Sequence, residues 1–219
     1  MRGLWVSFIP QIECQMSGDC SVVAVEDNTT DTSSADTMAS LVKSSCVRWA
    51  LNASKWRPTR EEWLLATRLI QKEEMSRINR FVFKTDAKLA LVGRLLMRSG
   101  VSKRFPSVPY KDILFDRTDK GKPYLVLPTS DEVSAKPFDL NISHSGDYCV
   151  MGSVGADKVG VDVMRIEYSG QRNDRPVDDF FRLMNRQFSD SEWRFINTGA
   201  DDKQRIFRFI RLWTLKESF

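Results

Sequence analysis

Apolar residues recur along this 219-residue chain with two different periods, and the switches between them divide it. Val47, Trp49 and Leu51 alternate with polar or small neighbours, as in a half-buried strand. From 58 to 99 the spacing is helical. Thr59 with Glu62 three residues on makes a capping-box pattern, and Trp63, Leu64, Ala66, Leu69 and Ile70 supply its stripe. A second helical piece is expected over 72–79. A third is expected from about 85 to 99, with Ala87, Leu91, Leu95 and Leu96 on one side. After Gly100 the period drops to two. Segments 113–115, 124–127, 138–142, 148–154 and 159–163 read as strands, with turns at 120–123, 145–147 and 155–157. From Val177 the helical spacing returns, and Ser189 with Glu192 forms a second capping box ahead of Trp193 and Ile196. Helices, a mostly antiparallel sheet, then helices again predict an α+β fold. No solenoid-type repeat is present.

The last stretch carries an anomaly. Ile206, Phe209, Ile210 and Trp213 share one helical face, and Glu217 is the next position on it. A carboxylate on an apolar stripe is costly unless a cation meets it. At the other end, residues 26–36 are rich in Ser, Thr and Asp with little to bury, so 1–45 reads as a partly flexible extension and the body begins near 46.

Charge sharpens that division. Residues 1–45 hold two cations against six carboxylates, a net of −4; with +4 overall, this leaves +8 on 46–219. A basic body suits an anionic partner: nucleic acid, a polyphosphate ligand or an acidic protein. No apolar run approaches the roughly 20 residues of a membrane span. Cys14, Cys20, Cys46 and Cys149 form no CxxC pair, and one histidine makes a zinc site of the usual kind improbable, so reduced thiols in a cytosolic protein are expected.

Three segments carry candidate chemistry. In 159–164, alternation turns Val159, Val161 and Val163 one way and Gly160, Asp162 and Met164 the other, so Asp162 at a strand end can face a cleft. Paired with Glu217, it would be one of two carboxylates able to hold Mg²⁺, an ion that completes its shell with water and phosphate oxygens. In the turn Arg117, Thr118, Asp119, Lys120, Gly121, Lys122, three cations flank a glycine in a way that suits phosphate, or a plain solvated hairpin. In Asn141, Ile142, Ser143, His144 the single histidine lies among small polar residues where a strand ends. Arg77, Arg80, Lys84, Lys88 and Arg94 punctuate the helices as a solvated face would. There is no GxSxG elbow, Walker loop or GxGxxG fingerprint.

In this order, Gly-Lys-Pro, Asn-Ile-Ser-His-Ser, Val-Gly-Val-Asp, Phe-Ser-x-x-Glu-Trp and Trp-Thr-Leu-Lys-Glu-Ser-Phe resemble the 4′-phosphopantetheinyl transferase superfamily, in its larger, surfactin-synthetase type. The likeness covers roughly 46–219. It implies two similar α+β halves with mostly antiparallel sheets, 46–150 and 151–219, the second expected to be incomplete. It implies Mg²⁺-dependent transfer of the phosphopantetheine arm of coenzyme A to a serine of an acyl- or peptidyl-carrier domain, releasing 3′,5′-ADP. Arg77, the 117–122 turn, 141–144 and Asp162 would bind coenzyme A, with His144 near its 3′-phosphate. Asp162 and Glu217 would hold the metal, Glu217 would be the base, and Lys216 would reach a phosphate. Ser189 and Glu192 are as well explained as a helix cap. Met164 departs from the acidic residue that many bacterial members carry two positions after the metal-binding aspartate. A cytosolic monomer with no nucleic-acid partner is expected.

Overall fold

The computed structural model describes residues 47–126, 138–155, 158–168 and 175–219, together with the backbone of two short strands, β1 (Leu4–Ser7) and β2 (Val23–Ala24). The expected flexible run at 26–36, the turn residues 156–157 and Leu127 lie outside the described residues.

The first half of the body is a helical layer on a sheet. Strand β3 (Val47–Asn52) leads to helix α1 (Arg60–Arg68), which opens on the expected capping box: Glu62 N–H donates to Thr59 Oγ1, and the Glu62 carboxylate accepts from Thr59 N–H. Helix α2 (Lys72–Ile78) and the long helix α3 (Lys84–Arg104) follow. Two differences from the expected pattern stand out. On α1, Ala66 is buried, but Leu64 and Leu69 are exposed. And α3 does not stop before Gly100: it continues to Arg104, with Gly100 buried inside it. A Cβ at Gly100 would come within 2.9 Å of Met151 Cε, so the glycine marks a close helix–sheet contact rather than a break.

Strands β4 (Leu114–Arg117) and β5 (Pro123–Val126) form a hairpin whose turn places Gly121 at φ +83°, a conformation that favours glycine. Strands β6 (Asp139–Ser145) and β7 (Tyr148–Val154) form the next, turning at Gly146 with φ +60°. Strand β6 therefore runs past the predicted end at 142, and His144 sits within it, paired across from Cys149. The main sheet has the order β2-β3-β7-β6, all antiparallel.

Its two faces are used differently. Ile142, Cys149 and Met151 meet α3, where Gly93 lets the helix approach Ile142 Cδ1 to 3.0 Å from an ideal Cβ. Val150 and Gly152, on the opposite face, meet Val159, Val161 and Val163 of and just beyond β8 (Val159–Asp162). Strand β8 is joined by β1 in a parallel pair, Leu4↔Val159 to Ser7↔Asp162, the one parallel pairing among the described strands.

Helices α4 (Val177–Leu183), α5 (Asp190–Asn197) and α6 (Asp202–Glu217) close the chain around an aromatic cluster centred on Phe209. The rings of Phe180, Phe181, Phe188, Trp193 and Trp213 lie 5.0–6.1 Å from it, the spacing of edge-to-face and offset-stacked pairs. Arg205 ties α4 to α6, 2.5 Å from Asp178 and 2.9 Å from Asp202, with its guanidinium over the Phe181 ring. Helix α6 packs on β8 and β1. Its buried row is Ile206, Ile210, Thr214 and Ser218, with Phe209 beside it. Glu217 is exposed. The sequence pattern put it on the buried face; the i+4 row instead passes to Ser218, and the carboxylate stays in water.

Candidate functional site

Strand β6 organises the site by its alternation. Ile142 and His144 point to one side, into a cleft of about 620 Å³ also lined by Arg77, Arg94, Arg117, Glu74, Asp116 and Cys149. Ser143 points to the other side, where its Oγ donates to Asp162 Oδ1 at 2.6 Å. One strand thus serves both a cationic cleft and the half-buried Asp162 at the end of β8.

The basic side chains of the cleft come from four elements: Arg77 from α2, Arg94 from α3, Arg117 from β4, and His144 from β6. A buried polar network behind it holds three of them. Gln71, at the N-cap of α2, donates from Nε2 to Phe115 O at 3.3 Å and accepts at Oε1 from Phe115 N–H at 2.8 Å and from Arg98 Nη2 at 3.3 Å. Glu74 accepts from Gln71 N–H at 3.1 Å and lies 3.6 Å from Arg94 and 3.7 Å from Arg98. Arg98 is only 3 % exposed; its Nη1 donates to Tyr110 O, and its guanidinium lies over the Tyr110 ring.

Burial and the neighbouring guanidiniums both act on the arginines of the cleft. Burial, then Arg117, pushes the Arg94 pKa down, with Glu74 opposing; burial, then Arg77, does the same to Arg117. The Cys149 thiol at the floor is pushed up to about 12, chiefly by burial, so it remains protonated near neutral pH.

The structure divides the predicted site residues. Arg77, Arg117, Ile142 and His144 meet in the cleft. The rest of the basic turn does not act as one grip. Arg117 Nη1 donates to Gly121 O at 2.6 Å, bracing the turn, while Thr118, Asp119 and Lys120 are exposed. Lys122 is drawn to Asp139 at 2.9 Å and Val159 O at 3.4 Å, where it clips β8 to β6. Asn141 accepts from the N–H of Ile142 through Oδ1. Lys216 was expected to reach a phosphate. In this structure it pairs with Glu192 at 3.0 Å and lies over the Phe188 ring. Glu192 also completes the α5 capping box with Ser189, as the sequence pattern suggested. Met164 packs against the aromatic cluster. Glu217 has no hydrogen-bond or ion-pair partner among the described residues. Among those residues, no group of three or more His, Cys, Asp or Glu is placed to hold a metal.

Two residues escaped the sequence pattern. Arg94 reads as part of a solvated face, yet it is half-buried in the cleft wall. Gln71 carries no motif. Only the Gly93-Arg94 step hinted at a close approach.

Two family models match this chain. The N-terminal model of the 4′-phosphopantetheinyl transferases matches residues 54–156, and the 4′-phosphopantetheinyl transferase superfamily model matches 158–219. The chain belongs to the 4′-phosphopantetheinyl transferase superfamily. It is 44 % identical over 173 residues to the L-aminoadipate-semialdehyde dehydrogenase-phosphopantetheinyl transferase of Xenopus laevis, covering 79 % of this chain and 55 % of that protein. To the protein of the same name in Homo sapiens it is 42 % identical over 173 residues, covering 79 % and 54 %. To the 4′-phosphopantetheinyl transferase ffp of Bacillus subtilis it is 30 % identical over 151 residues, covering 68 % and 58 %. The chain spans about half the length of the curated relatives it matches. No helix among the described residues is long and apolar enough to cross a membrane.

Proposed function

We propose that this chain binds coenzyme A and takes part in transferring its 4′-phosphopantetheine arm to a serine of an acyl- or peptidyl-carrier domain. The observation that carries the reading is the division of β6, with His144 and Ile142 in an arginine-lined cleft and Ser143 on Asp162. Phosphates need fixed cations, and a diphosphate that must break needs its developing charge stabilised. Strand β6 touches both provisions, through His144 in the cleft and through Ser143 on Asp162.

In this reading Arg77, Arg117 and His144 bind the phosphates of coenzyme A. The carrier serine oxygen attacks the pantetheine-side phosphorus, the bond to the neighbouring phosphate breaks, and 3′,5′-ADP leaves. Glu217, exposed and free of partners among the described residues, takes the serine proton.

The donor set fits Mg²⁺ of the kind bound by one or two carboxylates and completed by water and substrate oxygens. Asp162 has one oxygen fixed by Ser143 and the other without a partner among the described residues, and Glu217 offers a second carboxylate. When bound, the ion supplies charge stabilisation to the diphosphate. The change of family model between 156 and 158 supports units at 46–150 and 151–219, following an extension at 1–45. A monomer in the cytosol completes the proposal.

The test is to incubate the chain with coenzyme A, Mg²⁺ and an apo carrier domain and weigh the carrier. The expected product is heavier by one phosphopantetheine. Coenzyme A bound without that gain would leave a binder rather than a transferase, and no binding would remove both.

A further inference from the structure

The cleft wall carries three guanidinium groups, Arg77, Arg94 and Arg117, and three carboxylates, Glu73, Glu74 and Asp116, but few of these charges meet. Among the described residues, Glu74 is the one carboxylate within ion-pair distance of any of Arg77, Arg94 and Arg117, and it is shared with the buried Arg98. Asp116, also in the wall, is engaged by the N–H of Arg117 and by Tyr124 OH. Arg94 is the most enclosed of the three, its side chain 15 % exposed. Glu74 meets its Nε, while among the described residues the terminal nitrogens find only the Met97 sulfur, 3.9 Å from Nη1. A buried guanidinium normally finds oxygen acceptors for its outer fork, because leaving those donors unmet costs more than the contacts return.

We propose that Arg94 is a third phosphate ligand of the cleft, binding the anion through the terminal nitrogens that Glu74 leaves free. This rests on the coenzyme A reading for the identity of the anion, but not for the existence of the site. Glu74, itself held by Gln71 and Arg98, meets Arg94 from behind, so the guanidinium is oriented before the ligand arrives. Gly93 allows the same stretch of α3 to lie close against Ile142, which keeps Arg94 beside the β6 wall that carries His144. Arg77, exposed at the rim, and Arg117, bracing its turn, complete a cluster that a phosphate would neutralise.

The experiment is calorimetric titration of the chain and of Arg94→Met and Arg94→Lys with coenzyme A, dephospho-coenzyme A and inorganic pyrophosphate, with folding checked by circular dichroism. Arg94→Met is expected to bind coenzyme A about 10- to 100-fold more weakly, with Arg94→Lys intermediate. A penalty that persists with dephospho-coenzyme A and pyrophosphate puts Arg94 on the diphosphate; one that disappears with dephospho-coenzyme A puts it on the 3′-phosphate. Either supports the assignment. If Arg94→Met does not fold, Arg94→Lys carries the test, since it loses the guanidinium fork but keeps the charge. Wild-type affinities in a folded variant overturn the role of Arg94 and leave the coenzyme A reading standing. A wild type that binds pyrophosphate through Arg94 but ignores coenzyme A does the reverse. A wild type that binds none of the three removes both.

Discussion

The side-chain amide of Gln71 pairs with the backbone of Phe115 from both sides, donating to its carbonyl oxygen at 3.3 Å and accepting from its N–H at 2.8 Å. A single side chain thus takes the place of a neighbouring strand at the edge of β4, while its own backbone begins α2. Gln71→Met keeps the length but removes both partners. Leaving buried polar groups unmet costs about 1–3 kcal/mol, so a loss in that range is expected in urea unfolding. Coenzyme A affinity should fall as well, because Arg77 and Arg117 are carried by the two elements that Gln71 joins. A variant that loses stability but binds coenzyme A as the wild type does would confine Gln71 to the fold.

Ser143 orients Asp162, and the two should separate in their effects. Ser143→Ala removes one short hydrogen bond, worth about 1 kcal/mol, and leaves the carboxylate in place. It is expected to raise the Mg²⁺ concentration needed for half-maximal transfer with little change at saturating metal. Asp162→Ala should abolish Mg²⁺-dependent transfer at any concentration tested. Undiminished turnover in Asp162→Ala would remove that residue from the metal's shell.

Glu217 offers a cleaner separation of chemistry from stability, because it is exposed and its side chain has no hydrogen-bond or ion-pair partner among the described residues. Glu217→Gln is expected to leave the melting midpoint unchanged and to lower the maximal rate by about 10²–10⁴, the usual worth of a positioned base. A matching change in melting point, or an unchanged rate, would deny it that role.

What could be read along the chain was what local rules decide. The capping boxes at Thr59 and Ser189 hold because their donors and acceptors lie within four residues of each other. The 148–154 strand holds because it is a short run of apolar and small residues bounded by turn signals, buried on both faces from Cys149 on. Gly100 is misjudged for the opposite reason: intrinsic propensity reads a glycine as a stop, but here it lies inside the helix where Met151 packs closely against it. Arg94 and Gln71 were hidden more deeply. Gln71 meets Phe115 from across α3, and Arg94 meets Glu74 on the preceding helix, so no periodicity connects either pair. Glu217 shows the error a helical wheel makes near a terminus. One residue of drift along the stripe exchanges Glu217 for Ser218, and the reason first given for a cation at that site disappears with it, although the carboxylate's proposed chemistry does not.

Glu192 joins two helices through one carboxylate, accepting from Ser189 N–H and pairing with Lys216. Its pKa is held down, first by the Ser189 backbone hydrogen bond and then, against a small burial effect, by Lys216 and the Ser189 hydroxyl. The sign follows: a carboxylate with a depressed folded-state pKa contributes stability above its ordinary value, and that stability is lost as pH falls through the folded value. Glu192→Gln keeps an oxygen for the Ser189 N–H and removes only the charge, so it should cost about 0.5 kcal/mol at pH 7. The difference between wild type and variant in urea unfolding should shrink below about pH 4. A difference that stays constant down to acid pH would mean that the charge contributes nothing.

Cys149 makes the corresponding case at high pH. Its thiol is buried against Gly93 and paired across the sheet from His144, and burial pushes its pKa up to about 12 from an ordinary 9.0. Folding therefore favours the protonated form. The stability that comes with it is complete below pH 9 and is lost progressively as pH rises from there through the folded value. Two measurements follow. In the native chain at pH 8, iodoacetamide should leave the Cys149 peptide unmodified, and labelling should appear only in denaturant. Cys149→Ala should lose about 1 kcal/mol at neutral pH for the missing sulfur, yet its stability should decline less steeply than the wild type's between pH 9 and 11. Ready labelling of the folded chain, or parallel pH profiles for the two proteins, would mean that the thiol is not sealed beneath α3 and that the cleft floor is open to solvent.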